Sequence, residues 1–246
     1  MQKTFRSLAI LVCSTLLAAL SYGQSKGDSG SFGIGVKASL LGAGVEAAAR
    51  VTHHINVRGG FNMFSYSRDF TKDQATYNGQ LSFKTVEGHL DFFPFAGKFH
   101  VSPGVLAYVG DPITATANFS TTNSFTLGGV PYYSDSSIPA TGNGKIDFNR
   151  AAPMATVGWG NLVPRKASKH FSVPVEFGVA FQGSPKATLN INGNVCTQPG
   201  GGGTCYNAAT DPTVLSNIVS EQGKINHDMR FFKIYPIISV GFGYKF

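Results

Sequence analysis

The last seventeen residues, Arg230 to Phe246, carry the most regular pattern of hydrophobic and polar positions in the chain. From Phe232 onward every second residue is apolar, and the intervening register holds smaller or more polar residues such as Ser239 and Lys245. A period of two sustained over this length predicts an extended strand whose two faces differ in polarity.

The same alternation recurs in seven earlier stretches, so the pattern predicts eight strands. The runs are 32–40, 43–51, 55–66, 77–95, 99–109, 145–159, 171–181 and 232–246. Two of them change phase, one near Lys84 and one near Arg150, as a strand does at a β-bulge. Each run is long enough to cross a bilayer as a tilted strand of about 9–11 residues.

The connections between the runs alternate in length and character. The turns are 52–54, 95–98 and 161–170, and the longer loop segments are 68–76, 110–144 and 182–229. In an antiparallel barrel this order places the three turns at one end and, apart from the tight turn at Leu41-Gly42, the loops at the other. Short periplasmic turns and long outer loops are typical of membrane barrels. Aromatic residues near the turn end predict an interfacial girdle formed by Phe92, Phe99, Trp159, Phe171, Tyr244 and Phe246.

Composition favours a β protein with one face in lipid. Only 13% of the residues are charged, whereas glycine (30) and phenylalanine (20) are abundant, and charge on a lipid-facing surface is costly. The net charge of +7 is too small and too scattered to indicate nucleic-acid binding. A soluble lipocalin-like barrel is the alternative, but its apolar face would point inward and its charged face outward.

The N-terminus predicts export from the cytoplasm. Lys3 and Arg6 precede an apolar stretch from Leu8 to Leu20, and small residues follow it, which is the pattern of a signal peptide spanning residues 1–23. Residues 24–31 form a polar lead, and the predicted barrel domain spans 32–246. The apolar stretch is short for a helical membrane span of about 20 residues.

The face opposite the apolar one carries charges of both signs. Its members are Lys37, Glu46, Arg50, Arg58, Lys84, Glu87, His89, Asp91, Glu176 and Lys233. An eight-stranded barrel is just wide enough for side chains to fill its interior, and a buried charge without a partner is costly. We therefore expect a salt-bridged, packed lumen. The alternative is a narrow polar pathway gated by arginine–glutamate pairs.

No catalytic site, metal site or cofactor is predicted. Glu87, His89 and Asp91 alternate along one strand, but they spread over about 13 Å, too far for one metal ion. The turn residues His53 and His54 have no further ligands in the sequence pattern. The sequence contains no nucleophile elbow, phosphate loop or paired zinc motif, so a non-enzymatic role is expected.

The segment 182–229 contains two local structural signals. Cys196 and Cys205 flank a glycine-rich stretch, and in an exported protein we expect them to form a disulfide. Residues 211–227 predict one short amphipathic helix in the last loop, since Asp211 can cap it and Pro212 suits its first position.

The closing strand, which ends GFGYKF, resembles the C-terminal strand of eight-stranded outer-membrane barrels such as the OmpA membrane domain and the OmpX and OmpW groups. DFFPF, SPG, GWGN and YPIISVGFGYKF are similar to segments of uncharacterised barrels from Gram-negative bacteria. The resemblance implies an all-β, antiparallel, up-and-down transmembrane barrel in the outer membrane. It also implies an insertion signal read by the barrel-insertion machinery, carried by Val240, Phe242, Tyr244 and Phe246.

The expected partners are therefore outer-membrane lipids and the insertion machinery, with no nucleic acid, and the chain is expected to be a monomer. Two functions fit this architecture. One is a structural or surface-interaction protein that displays large outer loops, and the other is a narrow, porin-like pore or carrier for ions or small solutes. An enzyme acting on outer-membrane lipids is a third alternative, although no set of residues indicates it. The sequence does not identify an extracellular partner.

Overall fold

The computed structural model describes residues 32–72, 75–166 and 168–246. The predicted signal peptide (1–23) and polar lead (24–31) lie outside the described residues. The strands are β1 (Phe32–Ser39), β2 (Gly42–Arg50), β3 (Ile55–Lys72), β4 (Ala75–Phe92), β5 (Phe99–Tyr108), β6 (Ile113–Asn118), β7 (Phe125–Leu127), β8 (Val130–Ser134), β9 (Thr141–Asp147), β10 (Ala151–Trp159), β11 (Phe171–Ser172), β12 (Val175–Phe181), β13 (Lys186–Asn192), β14 (Asn194–Cys196), β15 (Cys205–Asn207) and β16 (Ile234–Lys245). Helix α1 spans Pro212–Met229, and a 3₁₀ turn spans Pro199–Gly201.

Eight strand positions close into an antiparallel ring. Strands β1 to β5 pair in sequence order, β5 pairs with β10, β10 with β12, β12 with β16, and β16 returns to β1. The seventh position is interrupted after β11, because Pro174 has no N–H to donate to the ladder; β11 and β12 both pair with β16. The predicted eight-stranded up-and-down barrel is confirmed.

The two faces of the ring have opposite polarity. Outward side chains are apolar and exposed, as for Val36 (57% exposed), Leu90 (51%) and Phe177 (53%), whereas the inward face buries charged residues. A soluble barrel would bury the apolar face, so this exposed apolar belt belongs to a barrel whose outer surface contacts lipid. No helix among the described residues is long and apolar enough to cross a membrane.

The β3–β4 hairpin extends well beyond the barrel. Both strands have 18 residues, and their pairing is continuous from Ile55 opposite Phe92 to Lys72 opposite Ala75. The predicted loop at 68–76 is therefore wrong in large part, as is the predicted bulge near Lys84. Outside the membrane a strand can be polar on both faces, so the loss of alternation beyond Tyr66 did not mark the end of the strand.

The outer half of β4 carries an extension of the barrel sheet, called the outer sheet below. There β4 pairs with β6, β6 with β9, and β9 with β13. The predicted single strand 145–159 is wrong, because residues 145–147 belong to β9 in this outer sheet, whereas β10 begins at Ala151 in the barrel. The phase change near Arg150 marks a break between two strands. The predicted loop segment 110–144 contains the short strands β6, β7 and β8 and the start of β9.

The outer module comprises β6–β9, β13–β15 and α1. Its core buries Phe125, Leu127, Tyr132, Ala140, Ile191, Val195, Ala208, Val214 and Ile218. Helix α1 begins after Asp211, whose carboxylate accepts hydrogen bonds from the N–H groups of Thr213 and Val214. The cap is as predicted, and the helix continues to Met229, two residues beyond the predicted end.

Helix α1 also covers the free edge of the outer sheet. The side chain of Asn226 accepts a hydrogen bond from the N–H of Ala187 (2.7 Å), and that of Gln222 accepts one from the N–H of Leu189 (3.2 Å). These two donors lie on the outer side of strand β13. Satisfying them with side chains protects an edge that could otherwise pair with another strand.

Candidate functional site: a filled barrel lumen

A charged layer occupies the middle of the lumen, with Arg58 at its centre. The guanidinium donates to both oxygens of Asp91 (Nε–Oδ2 and Nη2–Oδ1, both 3.0 Å) and to Glu46 (Nη1–Oε2, 2.9 Å). It also pairs with both oxygens of Glu176. Strands β2, β3, β4 and β12 supply these four residues, so one side chain joins opposite walls of the barrel.

Lys37 extends the charged layer on the β1 side. Its ammonium group forms an ion pair with Glu87 and lies 3.6 Å from Glu46. The second oxygen of Glu87 accepts a hydrogen bond from the amide of Asn62 (3.2 Å). All four side chains are buried, so these contacts form where water does not screen charge.

His100 and Ser102 complete the layer from β5. Ser102 donates to Asp91 (2.7 Å), and His100 Nε2 lies 3.0 Å from Glu176 Oε1. His100 Nδ1 lies 3.1 Å from the carbonyl oxygen of Gly160, so both ring nitrogens face oxygen acceptors. The layer sets two basic side chains, Arg58 and Lys37, against four carboxylates, and the imidazole of His100 joins them.

Seven of the ten predicted lumen residues lie inside the barrel at this level: Lys37, Glu46, Arg58, Glu87, His89, Asp91 and Glu176. Arg50 also faces inward, but it lies at the periplasmic mouth, where it donates to the carbonyl oxygen of Pro164 (3.0 Å). The alternation of the strands therefore predicts most of the charged residues of this layer.

Two predicted lumen residues are elsewhere. Lys84 is exposed on the outer face of β4, because the predicted bulge does not form and Phe83 and Thr85 take the inward register. Lys233 is exposed in the turn before β16, which begins only at Ile234. The sequence pattern places both lysines in the lumen because each is a charged residue within an alternating run. Their actual direction depends on the register of strand pairing, which the pattern does not contain.

The predicted charged set also missed several polar lumen residues. Asn56, Asn62, Thr85, His100, Ser102, Thr156, Ser239 and Lys245 are buried. Alternation alone places His100, Ser102, Ser239 and Lys245 on the inward face. A set restricted to charged residues omits the uncharged members of the inward face, and it also left out Lys245, the last lysine of the chain.

A periplasmic plug, residues 160–166, closes the lumen below the charged layer. Leu162 and Val163 are buried inside the barrel against Ala48. Glycines on the inner face make room for this segment, because a Cβ at Gly33 would lie 2.5 Å from the carbonyl oxygen of Leu162, and one at Gly243 2.6 Å from its Cδ1. The predicted basic turn 161–170 therefore begins with a segment that enters the barrel.

Buried polar groups anchor the periplasmic plug. Lys245 Nζ donates to the carbonyl oxygens of Pro164 (3.2 Å) and Lys166 (3.0 Å). The carboxamide oxygen of Asn161 accepts from the side chain of Asn56 (3.0 Å) and from the N–H of Val163 (2.9 Å). These bonds tie the plug to β3 and β16, on different parts of the wall.

An outer apolar layer fills the lumen above the charges. It consists of Leu41, Phe83, Leu106, Tyr108, Ala152, Met154, Ala180 and Ile237. Leu41 reaches it from the tight β1–β2 turn, and the hydroxyl of Tyr108 donates to Gln182 (2.6 Å). The lumen is thus occupied at three levels along the barrel.

The charged layer is a poor site for a metal ion. Asp91, His100 and Glu176 do bring ligand atoms within 4.8 Å of one another, but Arg58 contacts both carboxylates. An ion would have to displace that guanidinium. The adjoining cavity of about 10 Å³ has room for about one water molecule.

Two predictions concern the chain outside the lumen. A disulfide joins Cys196 and Cys205, as expected, and connects β14 to β15 in the outer module. Val240, Phe242, Tyr244 and Phe246 form an outward row on the last strand with exposed side chains. Their role as an insertion signal stays a prediction.

The girdle at the periplasmic end is also present. Phe92, Trp159, Phe171, Tyr244 and Phe246 are exposed, and pairing brings Phe99 opposite Trp159 and Phe171 opposite Tyr244. Amphipathic or large aromatic side chains at this level mark the boundary between lipid and water.

The comparisons with known proteins bear on the fold. Neither protein-family models nor curated proteins give a match to this sequence. The structure of CarO2 from Acinetobacter baumannii aligns with a TM-score of 0.50 and 20% identity over 87% of this chain and 98% of that chain. CarO from the same species aligns at 0.49 and 20%, over 87% and 97%. At this identity the likeness to CarO2 concerns the fold alone. The closed ring, the exposed apolar belt and this shared fold identify the chain as an eight-stranded outer-membrane β-barrel protein.

Proposed function

We propose that this chain is a non-enzymatic, non-conducting barrel that holds a folded outer module at the cell surface, with a structural or surface-interaction role. The observation that carries the proposal is the filling of the lumen at three levels. A solute passing through would have to displace the periplasmic plug, separate Arg58 from its three carboxylates and open the outer apolar layer.

The outer module supports the surface role. It has its own apolar core, a disulfide and a helix that covers its sheet edge, features that a flexible loop does not need. Between the outer sheet and the pair formed by β7 and α1 lies a cleft of about 380 Å³, lined mainly by apolar side chains including Ile113, Leu127, Leu189 and Ile225. Its size is within the range of small-molecule sites.

The alternative function, a narrow pore or carrier, requires the charged layer to rearrange. Arg58 contacts Glu46, Asp91 and Glu176 at once, and separating a buried cation from these partners is strongly unfavourable. In this proposal the polar side chains fill a closed interior, where they stabilise the barrel and do not form a pathway for solutes.

A liposome-swelling assay tests the proposal. Refolded protein would be reconstituted into vesicles loaded with an impermeant polymer and challenged with arabinose, glycine or lysine, with a general porin as the positive control. We expect swelling at the rate of protein-free vesicles for all three solutes. Swelling above that rate for any of them, at a verified protein content, would overturn the non-conducting role.

A further inference from the structure

The periplasmic end of the barrel carries a basic cleft at the level of the membrane boundary. The cleft has a volume of about 430 Å³ and lies between the β4–β5 turn and the segment that follows β10. Its charged lining residues are Lys98, Arg165, Lys166 and Lys169, and its lining includes no acidic residue. Such a site attracts a negatively charged group.

Three of these cations are available for a ligand. Lys98, Lys166 and Lys169 are exposed, and none of the three forms an ion pair within the described ranges 32–72, 75–166 and 168–246. Arg165 has a structural role, since it donates to the carbonyl oxygen of Thr52 (3.0 Å) and lies over the ring of Phe93. The three lysines therefore present unneutralised charge toward the cleft.

The other wall of the cleft is apolar and continuous with the lipid-facing belt. Trp159, Phe171 and Val173 line it, and each is about 60% exposed (61%, 63% and 58%). Trp159 and Phe171 also belong to the aromatic girdle. A ligand in the cleft would thus contact ammonium groups on one side and surfaces that normally meet acyl chains on the other.

We propose that this cleft binds the headgroup phosphate of an anionic phospholipid in the periplasmic leaflet, with the acyl chains along Trp159, Phe171 and Val173. A phospholipid combines the two required chemistries, an anion and attached hydrocarbon, and the cleft lies at the height where headgroups meet the bilayer. Basic pockets at a membrane surface bind lipid headgroups by the same combination of charge and adjacent apolar surface. A soluble anion would contact only the lysines and would make no contact with the apolar wall.

Trp159 gives a direct readout, because it is the only tryptophan in the chain. Wild-type protein would be reconstituted into two sets of phosphatidylcholine vesicles. One set contains a small fraction of phosphatidylglycerol brominated on its acyl chains, and the other contains the same fraction of brominated phosphatidylcholine. Bromine quenches tryptophan fluorescence at contact, so quenching reports the local concentration of that lipid. We expect brominated phosphatidylglycerol to quench as if it were enriched roughly fivefold or more over its bulk fraction.

The lysines are tested by a triple variant, Lys98→Gln, Lys166→Gln and Lys169→Gln. In this variant the two brominated lipids should quench Trp159 fluorescence equally. The control variant, Lys186→Gln with Lys224→Gln, also removes exposed lysines but at the outer end. It should keep the stronger quenching by brominated phosphatidylglycerol seen in the wild type. Heat-modifiable migration in gels verifies that each variant is a folded barrel.

Three results would overturn the proposal. The first is equal quenching of the wild type by both lipids, and the second is an excess that survives in the triple variant. The third is loss of the excess when inorganic phosphate replaces chloride at constant ionic strength, which would indicate a site for the free anion instead of the lipid.

Discussion

Strand β4 passes through two regions of the molecule that bury opposite kinds of residue. In the barrel its inward side chains are Glu87, His89 and Asp91, and its exposed ones are Val86, Leu90 and Phe92. The N-terminal half of the same strand pairs with the outer module, whose core consists of residues such as Phe125, Ile191 and Val214. The surrounding solvent, lipid in one region and water in the other, therefore decides which kind of side chain is buried.

The difference has an energetic consequence. In the outer module the apolar core is buried away from water, and the hydrophobic effect stabilises it as in a soluble protein. In the barrel the apolar face is exposed to lipid. The stability of the folded barrel therefore depends on the buried ion pairs and on the plug that fills the lumen. Substitutions in the two regions should therefore differ in how much they change the free energy of unfolding and in which part of the molecule they disrupt.

The largest effect is expected for Arg58→Ala in the charged layer. Removing the guanidinium leaves Glu46, Asp91 and Glu176 buried without it, and such a change costs about 3–5 kcal/mol. Urea unfolding of vesicle-reconstituted protein measures the free energy of unfolding. Arg68→Ala, an exposed arginine on the same strand, is the matched control and should change it little. A similar loss for both variants would mean that the buried network does not stabilise the barrel.

The periplasmic plug should come next. Leu162→Ala removes a side chain that is 4% exposed inside the lumen, and a cavity of this kind costs about 2–5 kcal/mol. Leu90→Ala deletes the same atoms on the lipid-facing side, where lipid can fill the space, so we expect a clearly smaller loss in the same urea assay. If the two losses are equal, the plug is not packed as described.

Breaking the disulfide should affect only the outer module. Replacing Cys196 and Cys205 by serine removes a cross-link whose loop entropy corresponds to about 2–3 kcal/mol. Amide hydrogen exchange should become faster in β14, β15 and α1 and stay unchanged in β1 and β2. Faster exchange throughout the barrel strands would contradict the separation of the two regions.

The smallest effect is expected for Lys84→Ala. Lys84 is exposed, so its removal should change the unfolding free energy by no more than about 0.5 kcal/mol. Lys37→Ala, which breaks a buried pair with Glu87, should cost several times more. Equal costs would place Lys84 in the lumen, as its position in the sequence pattern first predicted.

Lys84 and Leu162 show where sequence reasoning succeeds and where it stops. Alternation in a lipid-facing strand reflects a strict physical requirement, so it located all eight strand positions and seven of the ten charged lumen residues. Lys84 was misplaced because side-chain direction depends on an unbroken register with β3. Beyond the membrane the requirement for alternation disappears, and for this reason residues 68–72 and the split between β9 and β10 were not recognised.

The periplasmic plug could not be predicted for a different reason. Leu162 and Val163 are two apolar residues in a segment otherwise typical of a turn, and nothing local specifies that they enter the barrel. Their place depends on space left by Gly33 and Gly243 and on anchoring by Lys245, residues more than 75 positions away in sequence. Such a contact arises only when the ring has closed.

Single-channel recording in planar bilayers tests the closed lumen most directly. Refolded wild-type protein, with insertion verified by heat-modifiable migration, should give no discrete conductance steps in concentrated potassium chloride, because the plug, the charged layer and the outer apolar layer each occupy the lumen. Reproducible steps of uniform size from the wild-type protein would contradict this account, and the barrel would then be a pore.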